Sequence, residues 1–267
     1  MAIRPKTPEA IERMRAAGRT VAQVLERLGR MVRPGVTTGD LDAEAARLFR
    51  ECGARSLFVG QPHPRGGPPY PASICVSVNE ELVHGIPGPR VIREGDLVSV
   101  DVGVQQDGWC ADAARTVAVG RVPERWARLV AATEEALEIV RREARAGVFW
   151  SAVAGQIERS VERAGFSIVT DYVGHGIGRQ MWEEPKVPNY VSPDLLRSDW
   201  VMLEDMTLAV EPMVNLGSPR VREQKDGWTV VTADGKPCAH VEDTFVVHRD
   251  GAEPLTRLDA AAEPERA

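Results

Sequence analysis

Four carboxylates in this chain stand where carboxylates are expensive. Asp101 lies inside Val98-Ser-Val-Asp-Val102, Glu211 inside Leu208-Ala-Val-Glu-Pro-Met213, and Glu242 inside His240-Val-Glu-Asp-Thr-Phe-Val246. These stretches are rich in β-branched and apolar residues and read as strands. Asp112 follows Asp101 across Gln106-Asp107-Gly108, and Asp-Gly is a hairpin signal that sets two such carboxylates on neighbouring strands. One buried carboxylate is ordinarily explained by a structural ion pair. Four of them in apolar strands call for a shared cation, because mutual repulsion would otherwise force protonation.

Histidine completes the set. Of the five present, His84 lies in Val83-His-Gly-Ile-Pro-Gly88 and His175 in Gly174-His-Gly-Ile-Gly178. The adjoining glycines let a backbone or a ligand approach closely. His63 falls in a proline-rich loop and His248 near the tail, and neither is given a role. His240 receives no assignment.

Competing chemistries are absent. There is no HExxH, so the helical zinc-protease site is excluded, and no GxSxG nucleophile elbow. Gly174–Gly178 superficially suggests a phosphate loop, but Trp182-Glu-Glu-Pro185 follows it rather than a helix with a phosphate-binding Lys-Ser/Thr. The four cysteines, Cys52, Cys75, Cys110 and Cys238, form no CxxC pair, so a zinc ribbon or thioredoxin-like site is not expected.

The elements that must position these residues follow an order. Thr7-Pro8 opens a helix bearing Ile11, Met14, Val21, Leu25 and Leu28 at helical spacing. Pro34-Gly35 breaks it. Thr38 caps a second helix that ends at Gly53. A loop from Gly60 to Pro71 precedes strands at 73–78 and 97–104. A helix over 123–145 and another capped by Ser151 and stopping at Gly165 follow. Strand-like segments then return at 167–173, 207–213, 229–232 and 241–247. Helices then strands, twice over, predict a duplicated α+β unit, with an ordinary α+β domain as the alternative. The chain after Glu253 is expected to fray.

Composition sets outer bounds. The chain has 267 residues, 43% hydrophobic and 27% charged, with a net charge of −6, which is globular rather than disordered. No run of about 18 apolar residues suggests a membrane span, and the acidic balance argues against a nucleic-acid-coating role. The N-terminus lacks the apolar stretch of a signal peptide, so reduced thiols and a cytoplasmic location are expected.

Taken together, these motifs resemble the type I methionine aminopeptidases of the pita-bread metallopeptidase family. The resemblance runs from Thr7-Pro-Glu-Ala-Ile-Glu-Arg-Met-Arg-Ala-Ala-Gly18 to Glu242-Asp-Thr-Phe-Val-Val247. Between them lie Asn79-Glu-Glu-Leu-Val-His-Gly-Ile-Pro87, Gly95-Asp-Leu-Val-Ser-Val-Asp-Val102, Gly174-His-Gly-Ile-Gly-Arg179, Val210-Glu-Pro-Met213 and Asp226-Gly-Trp-Thr229. It implies an α+β pita-bread fold of pseudo-twofold halves, a curved antiparallel sheet flanked by helices, and the site between the halves. The peptidase domain would span 1–253 with a flexible tail at 254–267, in a short form without an N-terminal extension.

The resemblance also implies five metal ligands, Asp101, Asp112, His175, Glu211 and Glu242. Asp112 and Glu242 would be shared between two ions, Asp101 would serve one, and His175 with Glu211 the other. Two divalent ions about 3.5–4 Å apart can activate a water and polarise a scissile carbonyl. One nitrogen among oxygens favours manganese, iron(II) or cobalt, with zinc an option. Glu211 would double as the base, His84 would contact the substrate near the scissile amide, and Tyr70, Cys75 and Trp228 would line the methionine pocket.

Two departures from the family pattern stand out. Trp182 occupies the place of a second active-site histidine, with Met181 where an aromatic precedes it, and the loop Gly60–Pro69 is longer than its counterpart. The implied activity is removal of initiator methionine from nascent proteins and peptides with a small second residue. Nascent chains, the ribosome and no membrane or nucleic acid are the implied partners, and the family is commonly monomeric. The alternatives are a paralogue with weak or altered specificity, a proline-directed or creatinase-like hydrolase, and a non-catalytic binding protein on the same fold.

Overall fold

The computed structural model describes residues 4–258. Helix α1 (Pro8–Met31) begins where Thr7 accepts a hydrogen bond from the Ala10 amide, with Pro8 in its first turn. Helix α2 (Thr38–Glu51) is capped one residue earlier than expected. Thr37 and Asp40 form a reciprocal capping box, so Thr38 is already helical and buried. Both helices turn apolar faces onto the strands Cys75–Val78, Leu97–Gln106 and Trp109–Ala118, and together they enclose one core.

The second half repeats this order. Helices α3 (Glu124–Glu143) and α4 (Trp150–Arg163) cover a second core built with Leu208, Val210, Phe245 and Val247. Ser151 is not the cap of α4. Phe149 holds that position without a side-chain hydrogen bond, and Asp199 Oδ1 instead accepts from the Ser151 amide at 3.2 Å. Trp150 is fully buried, stacks on Trp200 at 5.5 Å and donates its ring N–H to the Pro188 carbonyl at 2.8 Å, which satisfies the one polar atom that burial would orphan.

All paired strands are antiparallel. Leu97–Gln106 and Trp109–Ala118 form a hairpin whose two-residue turn, Asp107 at φ 49° and Gly108 at φ 78°, has both residues left-handed. Such a turn matches the natural twist of a strand pair and fixes its register. The halves meet along a seam. Ala114 bridges Glu242, and Thr244 Oγ1 both accepts from the Asp112 amide at 3.0 Å and donates to the Asp112 carbonyl at 2.9 Å.

Two expectations need correction. Glu211 and Glu242 do not lie within continuous strands. Glu211 sits with Pro212 in the break between Thr207–Val210 and Met213–Asn215, and Glu242 between Cys238–His240 and Asp243–Val247. Proline has no N–H to continue a ladder, which ends the strand at Glu211, while Glu242 pairs with Ala114 across the seam instead. Nor does the chain fray straight after Glu253. Ala252–Pro254 pairs with the preceding strand, and Leu255 and Thr256 are buried. The rest of the expected tail, 259–267, lies outside the described residues. No helix among the described residues is long and apolar enough to cross a membrane.

Candidate metal centre

Strand register brings the first two carboxylates together. Asp101 pairs with Ala114 and Asp112 with Gly103, so the two side chains are diagonal neighbours on one face of the hairpin. Gly103 leaves the room: a Cβ there would lie 3.1 Å from Asp112 Oδ1 and 2.9 Å from the Phe58 ring.

His175 comes from the other half, on the short strand Gly174–Gly176. Its flanking glycines are forced by packing, since a Cβ at Gly174 would meet the Ala209 carbonyl at 2.3 Å and one at Gly176 the Glu184 carbonyl at 2.2 Å. His175 Nδ1 lies 3.0 Å from the Gly176 carbonyl oxygen. Donation from Nδ1 fixes the tautomer and frees Nε2, the arrangement typical of ligating histidines. Nε2 faces Glu211 Oε1 at 3.8 Å.

Donor atoms of Asp112, His175 and Glu242 all lie within 4.8 Å of one another. Asp101 and Glu211 face the same cavity, of about 320 Å³. Burial, then the charge of Asp112, pushes Asp101, Glu211 and Glu242 well above the usual carboxylate range. Burial raises Asp112 itself to about 7. Asp101 Oδ1, Asp112 Oδ1 and Glu242 Oε1 are buried with no hydrogen-bond partner. Unpaired carboxylate oxygens beside a free imidazole nitrogen fit divalent cations bound through oxygen and one nitrogen.

His240 belongs to this cluster although the sequence reading assigned it nothing. It is buried, its Nε2 has no hydrogen-bond partner, and that atom lies 3.9 Å from Glu211 Oε2. The two oxygens of Glu211 thus face two imidazoles. Burial lowers His240 to about 3 and His84 to about 4, so both are neutral near pH 7. The available signal was its spacing: His240 stands two residues before Glu242, as same-face residues do in an extended chain. His84 is held at φ 58° and packs its ring edge-on to Tyr172 at 5.7 Å.

The far end of the cavity is apolar. Tyr70 and Cys75 are buried, and Tyr70 packs edge-on to Trp228 at 5.3 Å and to Phe58 at 6.5 Å. The Tyr70 hydroxyl donates to the Gly85 carbonyl at 2.8 Å. Burial raises the Cys75 thiol, which keeps it neutral. Phe58 was not expected in this wall.

The loop Gly60–Pro69 forms the roof, with Gln61, Pro62 and Pro64 lining the cavity. It is fastened to the loop around Trp228. Trp228 Nε1 donates to the Pro68 carbonyl at 3.0 Å, His63 Nε2 lies 2.7 Å from the Gly227 carbonyl oxygen, and Arg65 pairs with Glu223. His63 also packs edge-on to Trp228 at 5.1 Å, so it does have a part, as a fastener of the roof. A histidine among prolines gave no sign of this, because its partners lie far along the chain. At the mouth, Trp182 is 52% exposed with its ring 6.4 Å from that of His175. His248 stays remote, beside Glu253 at 3.2 Å.

Comparison with known proteins gives a consistent answer. The profile of Metallopeptidase family M24 matches residues 12–249. Methionine aminopeptidase 1 of Bacillus subtilis is 43% identical over 253 residues, covering 95% of this chain and 98% of that protein. The crystal structure of methionine aminopeptidase from Thermotoga maritima superposes with a TM-score of 0.89 at 42% identity, covering 96% of this chain and all of that one. An Xaa-Pro dipeptidase from Bacillus anthracis shares the fold, with a TM-score of 0.75 at 24% identity over 96% of this chain and 62% of that one.

Proposed function

The chain belongs to metallopeptidase family M24, and from that premise we infer that it is a methionine aminopeptidase that hydrolyses the first peptide bond of chains beginning with methionine. The observation that carries this is one cavity with two ends. Unpaired buried carboxylates gather beside His175 at one end, and a thiol and aromatic rings line the other, a lining suited to a methionine side chain.

Asp101, Asp112, His175, Glu211 and Glu242 would hold two divalent cations, for which manganese, iron(II) and cobalt suit the donor set and zinc is the alternative. Such cations supply Lewis-acid polarisation of the scissile carbonyl and ease deprotonation of the attacking water. The protein's own groups do the rest. Tyr70, Cys75 and Trp228 seat the methionine. The Glu211 carboxylate takes a proton from the water and returns one to the leaving amine. His84, neutral at the cavity wall, contacts the scissile amide. The loop Gly60–Pro69 limits water entry from above.

Trp182 favours a slower variant of this activity. We assign it the place of the family's second active-site histidine. Its indole keeps an N–H donor but has no nitrogen that can gain or lose a proton. The same reading takes residues 1–253 as one peptidase domain, working as a cytoplasmic monomer on nascent chains at the ribosome.

The test is hydrolysis of Met-Ala-Ser by chelated protein supplemented separately with manganese, iron(II), cobalt and zinc. Turnover should require a metal and should favour Met- over Lys- and Glu-initial peptides, since a charged side chain would be desolvated in the pocket without a partner. Full activity in the chelated sample, or equal rates on all three peptides, overturns the reading.

A further inference from the structure

The catalytic cavity opens into a second depression of about 370 Å³. Gln61, Met181 and Trp182 line both. Three other large surface clefts among the described residues share no lining residue with the cavity. This groove is therefore the continuation of the mouth. If the first side chain fills the pocket beneath the roof and the scissile bond lies over the carboxylates, the residues after that bond leave past Trp182.

The groove has a definite chemistry. Val59 and Trp182 line it as large exposed apolar side chains, at 53% and 52% exposure. Arg55 and Arg179 also line it, and no carboxylate does. Arg55 donates to Gln105 Oε1 at 2.9 Å, and the Arg179 guanidinium lies over the Trp109 ring at 4.5 Å. A neutral partner and an aromatic face orient both cations without neutralising them. Neither arginine makes an ion pair among the described residues. Glu183, which accepts from the Gln180 amide at the groove edge, is itself taken by Lys6 at 2.9 Å.

We propose that this groove is a subsite for the third and following residues of the substrate, and that Arg55 and Arg179 make it select acidic side chains there. The proposal rests on the aminopeptidase reading and adds to it a preference set well away from the scissile bond. Trp182 acquires a use in the same arrangement, as the apolar shelf over which the departing chain runs. Exposed ion pairs are weak, typically worth a factor of about 1.5 to 5 each, so two together should give roughly a two- to twenty-five-fold preference. That preference should be screened at high salt.

The experiment compares Met-Ala-Glu-Glu-Ala, Met-Ala-Gln-Gln-Ala and Met-Ala-Lys-Lys-Ala with metal-loaded full-length enzyme at low ionic strength. The expected order of kcat/KM is Glu, then Gln, then Lys, with most of the difference in KM and little of it left at about 0.5 M salt. Arg55→Gln with Arg179→Gln should bring the three values together. Because Arg179 also packs on Trp109, the single Arg55→Glu substitution provides a second arm, in which the order shifts toward Lys. Good hydrolysis of all three peptides at equal rates in the wild type overturns the subsite while leaving the activity intact. So does a wild-type preference that survives the double substitution or fails to move in Arg55→Glu. Hydrolysis of none of the peptides overturns the aminopeptidase reading, and the subsite with it.

Discussion

Glu242 and Asp243 are consecutive, both are buried acids, and they face opposite chemical surroundings. Asp243 accepts from Arg115 at 2.5 Å, from Arg257 at 2.8 Å and from the Thr256 hydroxyl at 2.7 Å. Glu242 leaves Oε1 unpartnered, and its neighbours are Asp101, Asp112 and Glu211. Arg115 reaches toward Glu242 but takes only its backbone carbonyl, at 2.5 Å. This fold therefore neutralises a buried carboxylate with its own cations where structure alone is at stake. On the front of the seam no lysine or arginine among the described residues pairs with Asp101, Asp112, Glu211 or Glu242. An acid cluster without protein cations is built for a cation from outside, and that contrast argues for a metal centre more strongly than a count of acids does.

The largest expected effect tests that contrast. Asp112→Asn should cut kcat about a thousandfold or more in metal-supplemented enzyme. Its chelated form should melt no lower than chelated wild type, because one repulsive charge is gone. Asp243→Asn should do the reverse. It strands Arg115, leaves Arg257 with Glu138 alone, and should lower stability by about 3 kcal/mol, with kcat per folded molecule close to wild type. Melting curves of chelated protein and metal-supplemented rates decide it. If both substitutions damage stability alike, the front cluster is structural.

A smaller effect is expected at the mouth. Trp182 is exposed and is not placed among the donor atoms, so metal content should not depend on it. On the proposed assignment of Trp182 to the place of a second histidine, Trp182→His should raise kcat by about tenfold with unchanged metal affinity, because it adds a donor that can strengthen toward the transition state. Kinetics with metal analysis checks both halves. An unchanged kcat means that the indole N–H, or water at this open position, already does the work.

What the sequence disclosed follows the same divide. Asp101 and Asp112 were readable because a two-residue Asp-Gly turn fixes register over a whole hairpin, and local rules are enough to place both. His175 was marked by glycines, which the structure explains as close backbone approach. Glu211 and Glu242 were singled out but mistaken for strand-interior residues, since apolar neighbours do not reveal where a ladder stops. His63, Phe58 and the fastening of the roof to Trp228 were not readable at all. His63 and the roof fastening join segments more than 150 residues apart, Phe58 reaches the wall by packing on Tyr70, and no local pattern records such contacts. Thr37 in place of Thr38 shows how a helix start slips where two threonines adjoin, and Phe149 in place of Ser151 shows a helix starting without any side-chain cap.

A pH-dependent effect is expected at His240, which belongs to the front cluster yet carries no negative charge. Its folded pKa is about 3, against 6.5 for an unhindered histidine, because burial disfavours the imidazolium and the neighbouring His84 adds a smaller effect of the same sign. Glu211 faces it 3.9 Å away, and burial raises that carboxyl well above its usual range. The sign of the linkage follows. Below pH 6.5 the unfolded chain takes up a proton at this position that the folded chain refuses, so unfolding is favoured progressively as pH falls from 6.5 toward 3. The slope approaches about 1.4 kcal/mol per pH unit when one full proton separates the states. His240→Gln keeps a donor facing Glu211 and removes the titration. Chelated wild type should therefore lose stability relative to chelated His240→Gln as pH is lowered from 6.5 to about 4, and the difference between the two should be flat above pH 7.5. Denaturant melts at half-unit pH steps measure it. Parallel curves across that range would mean that the folded protein accepts the proton. His240 would then be able to stand beside Glu211 as a cation, and the front of the seam would hold one positive charge of its own after all.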